Sequence, residues 1–151
     1  MRLTSFTDFG LRALMRMASD PDRAYSTAEL ADEFDLSRHH LTKIMASLAQ
    51  AGIVMTRRGG GGGARLARPA GQIGLGDIIR VLEGDQALVN CFAADGGNCS
   101  ITPHCRLKTR LREAETAFLT ELDRSTLADV ALPSLAGIAD PQPATGDPRH
   151  G

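Results

Sequence analysis

The sequence predicts a mainly α-helical protein with one small β-hairpin: a winged helix-turn-helix domain followed by a long dimerisation helix. Three observations carry that prediction. Two short stretches with helix-capping residues, around 26–34 and 37–51, are joined by a tight turn. A basic segment containing the glycines Gly59 to Gly63 separates two short β-prone runs. From Arg106 to about Arg124, apolar residues recur at helical spacing. A chain of 151 residues with 42% apolar content has room for one domain with a small core, plus an appended helix.

The elements follow in order. Thr7 to Ala18 reads as the first helix, with Phe6, Phe9, Leu14 and Met17 on an apolar stripe. Asp8 lies in its first turn, where a carboxylate suits the positive end of the helix dipole. Asp20-Pro21-Asp22 ends that helix. Ser26-Thr27-Ala28-Glu29 matches a capping box and opens a short second helix through Phe34. After the turn at Asp35-Leu36, Ser37 caps a third helix running to about Ala51, with Gly52 as its stop. Leu41, Ile44, Met45 and Leu48 form its buried stripe. Ser37, Arg38, His39, Thr42 and Lys43 crowd the other side of its N-terminal half. In helix-turn-helix readers that end of the second helix meets base edges in the major groove.

Ile53 to Thr56 and Ala64 to Ala67 read as the two strands of a wing, with Arg57 and Arg58 before the glycines and Arg65 after them. Arginine at such a tip suits a narrow, electronegative minor groove. The glycines are no phosphate-binding P-loop, because no Lys-Ser or Lys-Thr follows and no helix begins directly after them. A fourth helix spans about Leu75 to Leu82, with Asp77 near its start. In the long helix, Leu107, Leu111, Ala114, Phe118 and Leu122 form one seam. The seam can pack on its own domain or pair with a twin. The need of such readers to span two half-sites favours the twin. The expected organisation is a winged helix-turn-helix domain over 1–72, a connecting helix over 73–90, a cysteine loop over 91–105, a dimerisation helix over 106–130 and a disordered tail over 131–151.

Charge is partitioned along the chain. The net charge of -1 says little, but residues 1–70 carry ten Lys/Arg against seven Asp/Glu, and 71–151 carry seven against eleven. No acidic residue lies between Leu36 and Gly76, a window holding Arg38, Lys43, Arg57, Arg58, Arg65 and Arg68. This is a local footprint for a polyanion, here double-stranded DNA. The N-terminus has no apolar signal core, and no run reaches the ~18 residues of a membrane span, so the protein is expected in the cytoplasm.

All three cysteines, Cys91, Cys99 and Cys105, lie in one loop made turn-rich by Gly96, Gly97, Asn98 and Pro103, so that the thiols can converge. An odd count in a reducing compartment argues for metal or redox chemistry over a disulfide framework. Three uses compete. Incidental thiols are one. Zinc with His104 as fourth ligand is another, although the gaps are wider than the close pairs of structural zinc sites, and His104 adjoins Cys105. An iron–sulfur cluster is the third; it takes thiolates and tolerates wider spacing, but it is one ligand short.

The segments Met1-Arg2-Leu3-Thr4-Ser5-Phe6-Thr7-Asp8-Phe9-Gly10-Leu11-Arg12-Ala13-Leu14, Leu36-Ser37-Arg38-His39-His40, Lys43-Ile44, Leu88-Val89-Asn90-Cys91, Cys99 to Lys108 and Phe118 to Asp123 resemble the bacterial winged helix-turn-helix iron–sulfur regulators. Within that family the likeness is greatest to the nitric-oxide-sensing repressors of NsrR type, and it covers about Met1 to Val130. The resemblance implies a homodimer with one iron–sulfur cluster per subunit, 4Fe-4S or 2Fe-2S. It implies ligation by Cys91, Cys99 and Cys105, with Asp8 donated by the other subunit. The cluster-biogenesis branch instead uses a histidine at the position of Lys108, which cannot ligate while protonated. The implied function is a repressor, not an enzyme. The loaded dimer would bind a pseudo-palindromic operator and leave it when nitric oxide damages the cluster, derepressing nitric-oxide detoxification genes. An iron- or redox-responsive regulator of the same family is the alternative. An electron carrier or enzyme is disfavoured, since the sequence offers no paired acid and base. The expected DNA-contacting residues are Arg2, Ser37, Arg38, His39, His40, Thr42, Lys43, Arg57, Arg58 and Arg65. Two departures stand out: the wing tip is glycine throughout, and position 39 is His where relatives often have Asn.

Overall fold

The computed structural model describes residues 2–60, 62–84, 86–101 and 104–134. Helix α1 spans Ser5–Ser19, two residues earlier than expected, because the Thr4 hydroxyl accepts the Thr7 N–H at 3.3 Å and so caps the helix. Helix α2 spans Thr27–Glu33, and Ser26 caps it by accepting the Glu29 N–H at 3.0 Å. The reciprocal half of the expected capping box is not made: the Glu29 carboxylate pairs with Arg23 instead. Asp35, at φ 52°, turns the chain, which the short polar side chain of Asp tolerates. Helix α3 then runs Arg38–Gln50 with Ser37 as its cap. Its end is closed by Gly52 at φ 71° and by the Ile53 N–H donating to the Leu48 carbonyl at 2.9 Å.

That closure explains a one-residue shift in the wing. Ile53 is engaged with the helix end, so strand β1 begins one residue later, at Val54–Arg57. It pairs antiparallel with β2, Gly63–Leu66, in the register Val54↔Leu66 and Arg57↔Gly63. The sequence did not show a third partner: Tyr25, 2% exposed, exchanges two backbone hydrogen bonds with Ala64 at 2.9 and 2.7 Å. Gly63, at φ 145°, lies against the Tyr25 backbone where a Cβ would collide.

Helix α4, Leu75–Glu83, buries Leu75, Ile78, Ile79 and Leu82. Ile73, Leu75, Ile78 and Leu82 share one hydrophobic core with Leu14, Met17, Leu41, Ile44 and Leu48, so the expected connecting helix is a wall of the reading domain. Helix α5 spans Arg106–Leu122 and has no buried residue. Leu122, at its C-terminal end, packs against the core, while Leu107 near its start is 64% exposed. Arg80 on α4 and Asp123 just beyond α5 form a two-pronged ion pair, 2.6 Å on each prong.

The chain leaves α5 two residues earlier than expected and returns to the first domain. The Leu75 N–H donates to the Ser125 carbonyl at 3.0 Å, the Leu127 N–H to Ile73 at 2.8 Å, and the Leu132 N–H to Met15 at 3.2 Å. A short 3-10 turn, Leu127–Val130, is closed by a Thr126–Asp129 capping box and puts Leu127 at 0% exposure. Most of the expected disordered tail, 135–151, lies outside the described residues. Among the described residues no helix is long and apolar enough to cross a membrane.

If the returning segment belongs to the core, Leu127→Ala destabilises the protein by about 2–5 kcal/mol, as for other large-to-small changes at fully buried sites. Urea unfolding checks this; a loss within ~0.5 kcal/mol, the range of surface substitutions, would place Leu127 outside the cooperative core.

Candidate DNA interface and cysteine site

Ser37 places the start of α3 in solvent, so Ser37, Arg38, His39, Thr42 and Lys43 are exposed along its N-terminal half. His40, counted with them in the sequence, is half-buried. Its ring lies 5.9 Å from Phe6 and 5.6 Å, edge-on, from Phe9, and so docks α3 on α1. Arg38 reaches Asp32 only at 3.4 Å with both side chains about two-thirds exposed, a pair of little energetic weight. The Thr42 hydroxyl donates to the Arg38 carbonyl at 2.7 Å, which leaves its lone pairs open to an incoming donor.

On the wing, Arg57, Arg58 and Arg65 are exposed, and Met55, directly opposite Arg65, is 56% exposed. Among the described residues, ion pairs engage Arg12, Arg16, Arg23, Arg38, Arg80, Arg110 and Arg124. None engages Arg2, Lys43, Arg57, Arg58 or Arg65. The cations of the acid-free window are thus largely unneutralised within the subunit, which is what a phosphate backbone requires of its partner.

The cysteine loop is built less simply than its composition suggests. Cys91 sits in a single 3-10 turn, Asn90–Phe92, and is half-buried; Cys99 is exposed; Cys105 is half-buried at the start of α5. Gly97, at φ 62°, accepts no side chain because it lies against the backbone of Asn90 and Cys91. Its N–H donates to the Asp95 carboxylate at 3.0 Å. The stretch leading to Cys99 therefore folds back on Cys91. Phe92, next to Cys91, lies under the Arg112 guanidinium at 4.9 Å, which fastens the loop to α5.

The expected convergence of the thiols is not present in the single subunit. Among the described residues no three His, Cys, Asp or Glu side chains lie close enough to hold a metal ion. His104 is exposed, and Asp8, in the same chain, pairs with Arg12 at 2.9 Å with its side chain 49% exposed. The donor set still suits an iron–sulfur cluster in its chemistry: three cysteines in the thiol state in one loop, and an accessible carboxylate elsewhere.

One contact escaped the sequence. Glu83, the last residue of α4, accepts both the N–H of Thr4 at 2.7 Å and its hydroxyl at 2.8 Å. Thr7, 0% exposed, adds a further hydrogen bond to the same carboxylate. Burial pushes the Glu83 carboxyl up, but the hydrogen bonds from Thr7 and Thr4 outweigh it and hold the group below its ordinary value. The helix expected from the sequence begins at Thr7, and neither the Thr4 cap nor an acceptor 79 positions away enters that expectation.

The family model described as "Rrf2: Iron-dependent Transcriptional regulator" matches residues 3–132. The chain belongs to the Rrf2 family of transcriptional regulators. Solved Rrf2 neighbours agree in fold. The chain is 28% identical to oxidised Staphylococcus aureus CymR (TM-score 0.67), covering 87% of this chain and 96% of that one. It is 30% identical to CymR, the global cysteine regulator of B. subtilis (TM-score 0.64), with the same coverage. It is 29% identical to T. potens IscR (TM-score 0.66), covering 97% of this chain and 94% of that one. The Rrf2 assignment accounts for the winged helix-turn-helix architecture with its two-stranded hairpin.

Two outcomes test this geometry. Arg58→Ala or Arg65→Ala should weaken DNA binding nearly equally for all sequences and lower the slope of log K against log salt by about one; an unchanged slope in fluorescence anisotropy would remove that arginine from the interface. Because the folded Glu83 carboxyl titrates below its unfolded value, its stabilisation is complete above that unfolded value and is lost as pH falls through the folded one. Glu83→Gln should therefore flatten the acid limb of stability against pH, read by denaturant melts; a limb as steep as wild type would count against the shift.

Proposed function

We propose that this Rrf2 regulator is a nitric-oxide-sensing repressor of NsrR type, acting as a homodimer on an operator in double-stranded DNA. The observation that carries the reading is the donor set: one loop supplies all three cysteines, Cys91, Cys99 and Cys105, and among the described residues no three His, Cys, Asp or Glu side chains of one subunit lie close enough to hold a metal ion. Asp8, on the first turn of α1 in the reading domain, is the carboxylate assigned to a partner subunit's loop. Lys108 occupies the position where the cluster-biogenesis branch has its histidine. The absence of any buried residue on α5, with Leu107 and Ile101 64% and 65% exposed, supports a second copy against that helix.

Cys91, Cys99, Cys105 and Asp8 of the partner subunit would hold an iron–sulfur cluster, which when bound supplies the iron at which nitric oxide reacts. The protein's own part is mechanical. Asp8 ligation across the interface fixes α1, and α1 fixes α3 through His40 between Phe6 and Phe9. Released from the partner's loop, Asp8 returns to Arg12. The two reading helices then lose the relative placement that spans two half-sites. The regulated genes would be those of nitric-oxide detoxification.

The family's iron-dependent description favours one second reading, an iron-responsive regulator on the same architecture. Anaerobic titration separates the two. Nitric oxide should abolish DNA binding by the coloured protein at a few molecules per cluster, while a chelator acts more slowly. A colourless protein that binds DNA equally with and without iron would sink both readings.

A further inference from the structure

We propose that Glu83 is the positioning residue that makes the stem of the cysteine loop and the Asp8-bearing turn of α1 a single mechanical unit. The inference rests on the ligand reading above for its consequence, but the contact itself stands on the fold.

A helix start already capped has no need of this carboxylate. The Thr4 hydroxyl accepts the Thr7 N–H, which satisfies the usual capping requirement. Glu83 instead takes the N–H and the hydroxyl of Thr4 itself, the residue in front of α1. The carbonyl of that same Thr4 accepts the N–H of Asp8 at 3.0 Å. Thr4 is therefore held at one end by Glu83 and holds Asp8 at the other. From Glu83 the chain passes directly into the segment that reaches Cys91. That stem stays beside the contact: Gln86, Ala87 and Leu88 line one cavity of about 520 Å³ together with Thr4 and Glu83. On the far side, Phe6 and Phe9, which flank Asp8, hold His40 in the first turn of α3. The route from Cys91 to the reading helix thus follows the chain back to Glu83 and from there runs through named contacts, with the Glu83–Thr4 pair as its long-range polar joint.

A contiguous route is not by itself coupling, so the test measures coupling. Full-length wild type, Glu83→Ala and Glu83→Gln are purified anaerobically. Their affinities are measured for a duplex that the iron-loaded wild type has selected from a random pool, before and after chelation. In wild type, loading should raise affinity by about tenfold or more, within the usual range of coupling between sites. Glu83→Ala should keep its iron content and visible spectrum, because it removes none of the four proposed ligands. Its loaded and chelated affinities should nonetheless fall within about twofold of each other. Glu83→Gln, whose amide oxygen still accepts from Thr4, should restore most of the difference; Thr4→Ala, which loses the hydroxyl donor and the helix cap but keeps the Thr4 N–H donor, should fall between. A Glu83→Ala protein with the wild-type ratio overturns the proposal.

A second measurement needs no cluster. In the iron-free protein, Glu83→Ala should speed amide exchange in residues 4–9 and 86–92 together, by about tenfold, while the core of α3 keeps its protection. Unchanged exchange in either segment overturns the proposal. A wild type whose affinity ignores iron would instead overturn the sensing reading, and the exchange result would then decide the role of Glu83 alone.

Discussion

The structure depends on α1 lying across α3 and α4 at a point where it carries no side chain. A Cβ on Gly10 would stand 2.6 Å from Leu82 Cδ1 and 3.2 Å from Ile44 Cγ2. The three helices therefore meet through backbone and branched side chains at a spacing where any added Cβ would have to displace the end of Leu82. From that crossing the rest is placed. Ala13, Leu14 and Met17 are fully covered, α3 is held with its polar end outward, and α4 is aimed so that Glu83 meets Thr4. The returning segment seals the opposite side with Leu127 and the Leu132–Met15 hydrogen bond.

Electrostatics divides the molecule along different lines from packing. The cations of the reading helix and wing are mostly left without carboxylates, whereas Arg80 on α4 and Arg110 on α5 are each paired with a nearby acid, Asp123 and Glu113. The reading helix and wing are thus prepared for an external polyanion. That division follows from where acids occur in the sequence. It carries across to the fold because each ion pair of α5 and α4 is either local or made at the junction of the two helices.

What the sequence made legible was local. The Ser26 and Ser37 caps, the stripe of Leu41, Ile44 and Leu48, and the stop at Gly52 are short-range signals, and the reading helices appear where those signals place them. The strands lie one residue away because Ile53 answers to the end of α3 before it answers to the sheet. The Tyr25–Ala64 pairing, the burial of Leu127 and the Thr4–Glu83 contact join residues distant in sequence, where periodicity carries no information. The inward turn of His40 was hidden for a similar reason, since only the placement of Phe6 and Phe9 decides it. The site was legible as a donor inventory and not as a geometry. A loop rich in glycine can close, but among the described residues the lone subunit gathers no three such donors.

The Thr4–Glu83 joint has a topological consequence. If Asp8 ligates across the interface in both directions, as proposed, each subunit's loop would be tied through Glu83 to its own α1, and each α1 to the other subunit's loop. The two centres would then sit on one closed circuit and not on two parallel branches. A circuit is opened by a single break. A dimer so wired would respond to the first centre damaged, whichever it is, and the second would add little. Its response to signal dose would then follow the chance that at least one of two centres has been hit, which sets the threshold lower than either centre alone would.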